Sequence, residues 1–158
     1  MLTKKFKGIW FYGLSGSGKT ISSKFLKKKL KNSIIIDGDN VRKLISFDLS
    51  YSLKDRKIQI KRINGIVKIS IASNIFPIAS SVYMNEELNI KLKKQKVLVV
   101  RMLRRLKSIK NRKKIYKSKI VNVVGKDIKM PKLSNIYIIK NDQSVKNLQK
   151  KLEKVFYE

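Results

Sequence analysis

Apolar and polar positions alternate along the chain in two periods. Residues 8–12, GIWFY, form a continuous apolar run of the kind a strand buried on both faces requires. TISSKFLKKKLKN follows with Ile21, Phe25, Leu26 and Leu30 on one side and lysines on the other, which predicts an amphipathic helix. SIIIDGD reads as a second buried strand ending at Asp37-Gly38-Asp39. From Ser52, a candidate N-cap with Asp55 three residues on, a long helix is predicted to about Asn74, with Ile60, Ile63, Val67 and Ile71 as its apolar stripe.

IFPIASS is the third predicted strand, with Pro77 marking an irregular or early position, and QKVLVVRM is the fourth. SNIYIIKND is the fifth, followed by Ser144 as a cap and a helix carrying Val145, Leu148, Leu152 and Val155. Residues 102–134 are the least regular, dense in Lys and Arg, and read as a helical start followed by a mobile, lid-like connection. No internal repeat is visible. Strands alternating with helices predict an α/β fold: a parallel sheet of about five strands, flanked by helices in three layers, with right-handed crossovers. At 158 residues, one domain spanning 1–158 is expected.

Composition removes several chemistries. The absence of cysteine excludes disulfides and thiolate sites, and the absence of histidine removes the commonest general base and zinc ligand. No run is long and apolar enough to predict a membrane span, and the N-terminal apolar segment is too short for a signal sequence, so the expected compartment is the cytoplasm. The formal net charge is +29, and a field that strong attracts polyanions. Of the 39 basic residues, however, 32 are lysine and 7 arginine, and Ile and Asn are also heavily used. That bias reads as compositional drift more than as nucleic-acid selection, since neither arginine forks nor stacking aromatics cluster.

GLSGSGKT, Gly13 to Thr20, matches the phosphate-cradle pattern G-x-x-x-x-G-K-[ST], with a strand before it and an amphipathic helix after it. Glycines let successive N–H groups converge on phosphate oxygens, and the helix aims its positive end at the same point. Lys19 can reach the β- and γ-phosphates, and the Thr20 hydroxyl can ligate Mg²⁺. Nucleoside-triphosphate binding is therefore expected.

Four of the ten carboxylates fall in one window, Asp37, Asp39, Asp48 and Asp55. Asp37 and Asp39 stand where parallel sheets place their ligands, and could hold Mg²⁺ or act on an attacking hydroxyl; Asp-Gly-Asp-Asn is equally good turn chemistry. Arg42 and Arg56 suit a phosphate or sulfate grip, or a solvated helix face. Tyr51 could stack on a base or pack in the core.

GLSGSGKT, DGDNVR and DLSYSLKDRKIQIKRI, in that order and spacing, resemble adenylyl-sulfate kinase, as do IAS at 78–80, KIYKSK at 114–119 and NVVGKDIKMPKLSNIYIIKND. The resemblance spans about residues 7–156. It implies a P-loop kinase fold that transfers the γ-phosphoryl of ATP to the ribose 3′-hydroxyl of adenylyl sulfate, with Mg²⁺. By the same resemblance Gly13, Leu14, Ser15, Gly16, Ser17, Gly18, Lys19 and Thr20 bind the ATP phosphates. Asp37 activates the hydroxyl with Asp39 beside it, and Thr20 and Asp37 serve the metal. Arg42, Arg56 and Gln59 contact adenylyl sulfate, Tyr51 lies against its adenine, and Lys117 belongs to the lid.

The sequence also departs from the family. Tyr51 stands where Phe is usual and Gln59 where Asn is usual, the third-strand landmark lacks its Ile-Ser-Pro-Tyr form, and RMLRRLKSIKNRKK lacks Arg-Asp-x-x-Gly-Leu-Tyr. Two rival readings therefore stand: a P-loop kinase for another small hydroxyl acceptor, and a decayed, nucleotide-gated nucleic-acid-binding protein. A small-molecule substrate is the expected partner, with neither membrane nor nucleic acid, and the resemblance leaves room for a homodimer.

Overall fold

The computed structural model describes residues 5–105, 107–109 and 114–157. Five strands, β1 (Gly8–Tyr12), β2 (Ser33–Asp37), β3 (Phe76–Ser81), β4 (Val97–Leu103) and β5 (Tyr137–Lys140), form one sheet in the order β2-β3-β1-β4-β5. Every pairing is parallel. Helices α1 (Lys19–Lys29), α2 (Gly38–Leu44), α3 (Leu53–Ala72), α4 (Glu86–Lys94) and α5 (Val145–Tyr157) connect and cover it. A 3₁₀ turn, Lys114–Tyr116, lies between β4 and β5.

Strand alternation divides the core in two. On one face Ile9 and Phe11 of β1 pack with Leu26 of α1 and Leu30 just after it, and with Leu148, Leu152 and Val155 of α5. On the other, Trp10 and Tyr12 meet Ile60, Ile63 and Val67 of α3 and Leu88 and Leu92 of α4. Successive residues of β1 thus point to opposite layers, which is why its apolar run is unbroken. Three layers follow, with β1 central and all five of its residues buried.

The predicted α3 agrees closely with the structure: the Ser52 hydroxyl accepts from the Asp55 N–H, capping the helix as its sequence required. Other expectations need correction. β2 is an edge strand, not a buried one, and Ile34 is 40% exposed because only β3 flanks it. The strand also stops at Asp37, and the residues that follow, where Asp-Gly-Asp-Asn allows a turn, open the short helix α2 with Asp37 as its N-cap.

Along α1 the inward positions include Ser22 and Ser23, whereas Ile21 faces outward. This stretch lies close to the sheet, where small side chains are needed, and the Ser22 hydroxyl donates back to the Gly18 carbonyl at 3.0 Å. Helix α4 was not foreseen; Asn85 caps it by accepting from the Leu88 N–H at 2.9 Å. The helix expected early in 102–134 falls partly on residues 106 and 110–113, outside the described ones.

Candidate active site

β1 ends at Tyr12 and the chain turns through Gly13 at φ +148°, a region that disfavours any side chain. A Cβ there would sit 2.4 Å from the Met102 carbonyl oxygen. Gly18, at φ +106°, is the N-cap of α1, and a Cβ on it would lie 2.4 Å from Asn141 Nδ2. Asn141 donates from that nitrogen to the Ser17 carbonyl at 2.8 Å, fastening the loop to the end of β5. With no acid in its first turn, α1 leaves its positive end unneutralised by its own side chains. Lys19 curls over the loop, its Nζ donating to the Gly13 carbonyl at 2.7 Å and the Leu14 carbonyl at 3.0 Å.

The loop opens onto a cavity of about 660 Å³. Ser15, Gly16, Gly18, Lys19 and Thr20 line one end of it. Gly13, Leu14 and Ser17 lie outside its wall and shape the loop from behind.

Asp37 stands mid-cavity at the carboxyl end of β2 and caps α2. Its Oδ1 accepts from the Asp39 N–H at 3.0 Å and the Asn40 N–H at 3.4 Å, while Oδ2 accepts from the Ser80 hydroxyl at 3.1 Å. The turn and site readings of this acid are thus compatible, since capping fixes the carboxylate that faces the cavity. Gly38 makes this possible, because a Cβ there would be 2.8 Å from the Ser80 carbonyl oxygen. Asp39 lines the same wall. Gln59 donates to the Gly38 carbonyl at 3.0 Å, and its Oε1 is buried with no partner among the described residues.

Elsewhere on the wall the Arg42 and Arg56 guanidinium groups both lie over the Tyr51 ring, at 4.6 Å and 5.5 Å from its centre. Arg42 donates to the Ser50 carbonyl at 2.7 Å, and Arg56 to the Tyr51 carbonyl at 3.0 Å and the Asn122 carbonyl at 2.8 Å. Burial and, after it, the Arg42 charge push the Arg56 pKa down. Among the described residues neither arginine has a carboxylate partner, whereas Arg62 pairs with Asp48. Two cations without a salt-bridge partner among the described residues, over an aromatic ring that is 56% exposed, are chemistry that suits a flat anionic molecule. The carrying loop is ordered by Asp55, which accepts from the Ser50 N–H and from the Ser50 and Ser52 hydroxyls.

The structure adds residues that sequence reasoning missed. Ser80, at the end of β3, reaches Asp37 only because β3 lies between β1 and β2. Arg104 and Tyr116 follow β4 and line the cavity beside the glycine loop. Arg104 donates to the Gly16 carbonyl at 3.3 Å and the Tyr116 hydroxyl to the Ser15 carbonyl at 3.4 Å; the Arg104-Arg105 pair just past the strand was the available signal. Lys117, next to the buried Tyr116, is exposed and outside the cavity wall.

A sequence model of adenylylsulphate kinases matches residues 5–127. The chain belongs to the adenylylsulphate kinase family. An adenylyl-sulfate kinase of Buchnera aphidicola from Acyrthosiphon pisum is 34% identical over 94% of this chain and 80% of that protein. The counterpart from the Schizaphis graminum strain is 40% identical, over 53% of this chain and 43% of that one.

Among solved structures, the Mycobacterium tuberculosis APS kinase in complex with AMPPNP and APS superimposes with a TM-score of 0.85. At 22% identity it covers 98% of this chain and 99% of that one, and shows the shared fold. The adenylylsulphate kinase match includes the glycine loop Gly13 to Thr20, Asp37, Arg42, Tyr51 and Arg56, and ends before Asn141. No helix among the described residues is long and apolar enough to cross a membrane.

Proposed function

We propose that this chain is an ATP-dependent adenylyl-sulfate kinase, transferring the γ-phosphoryl group to the ribose 3′-hydroxyl of adenylyl sulfate. One observation carries the reading beyond family membership. A single cavity is lined by the phosphate loop, by Asp37 and by two arginines that lie over an exposed aromatic ring. That is a donor seat, a carboxylate and an anionic-nucleotide seat sharing one chamber.

In this reading the N–H groups of Ser15 to Thr20 receive the β- and γ-phosphates, and Lys19 leaves the Gly13 and Leu14 carbonyls to reach them. Asp37, held at both oxygens, accepts the proton of the 3′-hydroxyl as the oxygen attacks phosphorus. Arg42 and Arg56 hold the phosphosulfate of the acceptor, and the Tyr51 face supports its adenine. Gln59 Oε1 is free to accept a hydrogen bond from the acceptor. Catalysis is then alignment and charge neutralisation, with little covalent work for the protein.

The oxygen donors at the loop suit Mg²⁺. The Thr20 hydroxyl and the Asp37 carboxylate face the same cavity, and no cluster of three acids or softer ligands competes among the described residues. Bound there with ATP, Mg²⁺ would neutralise charge on the phosphate chain.

The deciding experiment measures ADP release with ATP and Mg²⁺ against adenylyl sulfate, nucleosides, sugars and a no-acceptor control. Turnover with adenylyl sulfate well above the control is expected. ADP release no faster than the control overturns the proposal, and turnover with another hydroxyl compound alone reassigns the acceptor.

A further inference from the structure

The adenylyl-sulfate kinase reading leaves two cations of the cavity, Lys43 and Arg104, without a task, and Lys43 is exposed. Arg104 lines the wall beside Gly16, Gly18 and Lys19. Its Nη1 donates to the Gly16 carbonyl at 3.3 Å, while its Nε is buried with no partner among the described residues. A buried guanidinium donor with no acceptor costs free energy unless something polar arrives to satisfy it. No described carboxylate pairs with it, and Asp142, an acid close in the fold, is taken by its neighbour, accepting from the Arg105 N–H at 2.7 Å and pairing with Arg105 Nε at 3.8 Å.

The backbone around Arg104 is fixed on both sides. Before it, the Leu103 carbonyl accepts from the Asn141 N–H at 2.7 Å; after it, the Arg105 N–H donates to Asp142. Asn141 also grips the glycine loop through the Ser17 carbonyl at 2.8 Å. One dipeptide, Asn141-Asp142, therefore sets the arginine and the loop in a common frame. Lys19, by contrast, must exchange its loop carbonyls to reach a ligand.

We propose that Arg104 is a triphosphate-binding residue, gripping the phosphate tail of the nucleotide seated on the glycine loop. The inference rests on the reading of this cavity as an ATP site. The guanidinium supplies planar, permanent positive charge from the β4 side, opposite the acids of β2. It gives the site a phosphate grip from the segment where the family's Arg-Asp-x-x-Gly-Leu-Tyr form is missing.

The test compares binding of ATP, AMP and adenylyl sulfate to the wild-type chain and to the variants Arg104→Gln, Arg104→Ala and Arg104→Lys by calorimetry, with thermal melts of each. The expected result is a loss of ATP affinity of about 10- to 100-fold in Arg104→Gln, the strength of charge-assisted hydrogen bonds. AMP and adenylyl sulfate should keep their affinities, and Arg104→Lys should recover part of the ATP loss.

Unchanged ATP affinity overturns the proposal. Equal weakening of ATP and AMP overturns it too, since that marks a purely structural arginine. If Arg104→Ala fails to fold, the near-isosteric Gln and Lys variants decide. Because the readout is nucleotide binding, it holds even if the acceptor assay rejects adenylyl sulfate, so the two failures are distinguishable.

Discussion

At the phosphate end of the cavity the glycine loop is held by backbone geometry and close approach: Gly13 against the Met102 carbonyl, Gly18 against Asn141, and the Ser17 carbonyl on the Asn141 amide. At the acceptor end the Arg42–Tyr51–Arg56 stack stands on a short helix, a loop and the first turn of α3, held by side chains reaching main-chain carbonyls. The backbone of the first end is closely confined, with no room for a Cβ at Gly13 or Gly18. The second is adjustable, with half-exposed groups and long cationic side chains. Such a division suits a kinase, where the donor is common to a whole superfamily and the acceptor defines the enzyme.

Substitutions at the two ends should separate donor from acceptor parameters. The largest effect is expected for Lys19→Ala, which should lower kcat/KM on the order of 10³-fold in ADP release while leaving the melting temperature close to wild type. Near-normal turnover of that variant contradicts the site. Asp37→Asn keeps an oxygen to cap α2, so the fold should persist while kcat drops about 10²- to 10⁴-fold. A rise in KM for ATP with kcat intact would instead place Asp37 on the donor.

Asn141→Ala strips the Ser17 carbonyl of its partner and should cost about 1–3 kcal/mol in denaturant unfolding. KM for ATP should rise and KM for adenylyl sulfate stay. Tyr51→Ala should do the reverse, raising KM for adenylyl sulfate roughly 3- to 10-fold, with Tyr51→Phe near wild type. Equal changes in both KM values for either variant would erase the distinction between the ends.

The smallest effects are in pH. Hydroxyl donors on Ser50 and then Ser52 hold the Asp55 carboxyl below its ordinary value. A depressed folded pKa means that the stabilisation is complete above about pH 4 and fades as pH falls through the lowered value. Below that point KM for adenylyl sulfate should rise before KM for ATP does. At the other end, burial above all pushes the Tyr12 hydroxyl from 10.0 up to about 12. Its stabilisation is present below the unfolded value and is lost as pH climbs between the two, so alkali should loosen β1, seen in near-ultraviolet circular dichroism.

Legibility divided along the same line. The P-loop, the core of β1 and the Ser52-capped α3 were readable because glycine conformation, residue period and capping are properties of about twenty consecutive residues. The Asp37 turn was legible as chemistry but not as a helix cap, because seven residues of α2 carry too short a period to recognise. Ser22 and Ser23 facing inward, against the apolar stripe drawn through Ile21, depended on how near the sheet lies.

Local pattern alone therefore determined a nucleotide-binding loop, five strands in order and a clustered set of acids and arginines. Tertiary structure decided what meets what: Ser80 with Asp37 across 43 residues, Arg104 with Gly16 across 88, and Asn141 with Ser17 across 124. Those contacts exist because β3 pairs with both β2 and β1, and β4 with both β1 and β5, which brings the carboxyl ends of all five strands to one edge of the sheet. Strand order is set by burial and crossover handedness over the whole chain, and no local period encodes it.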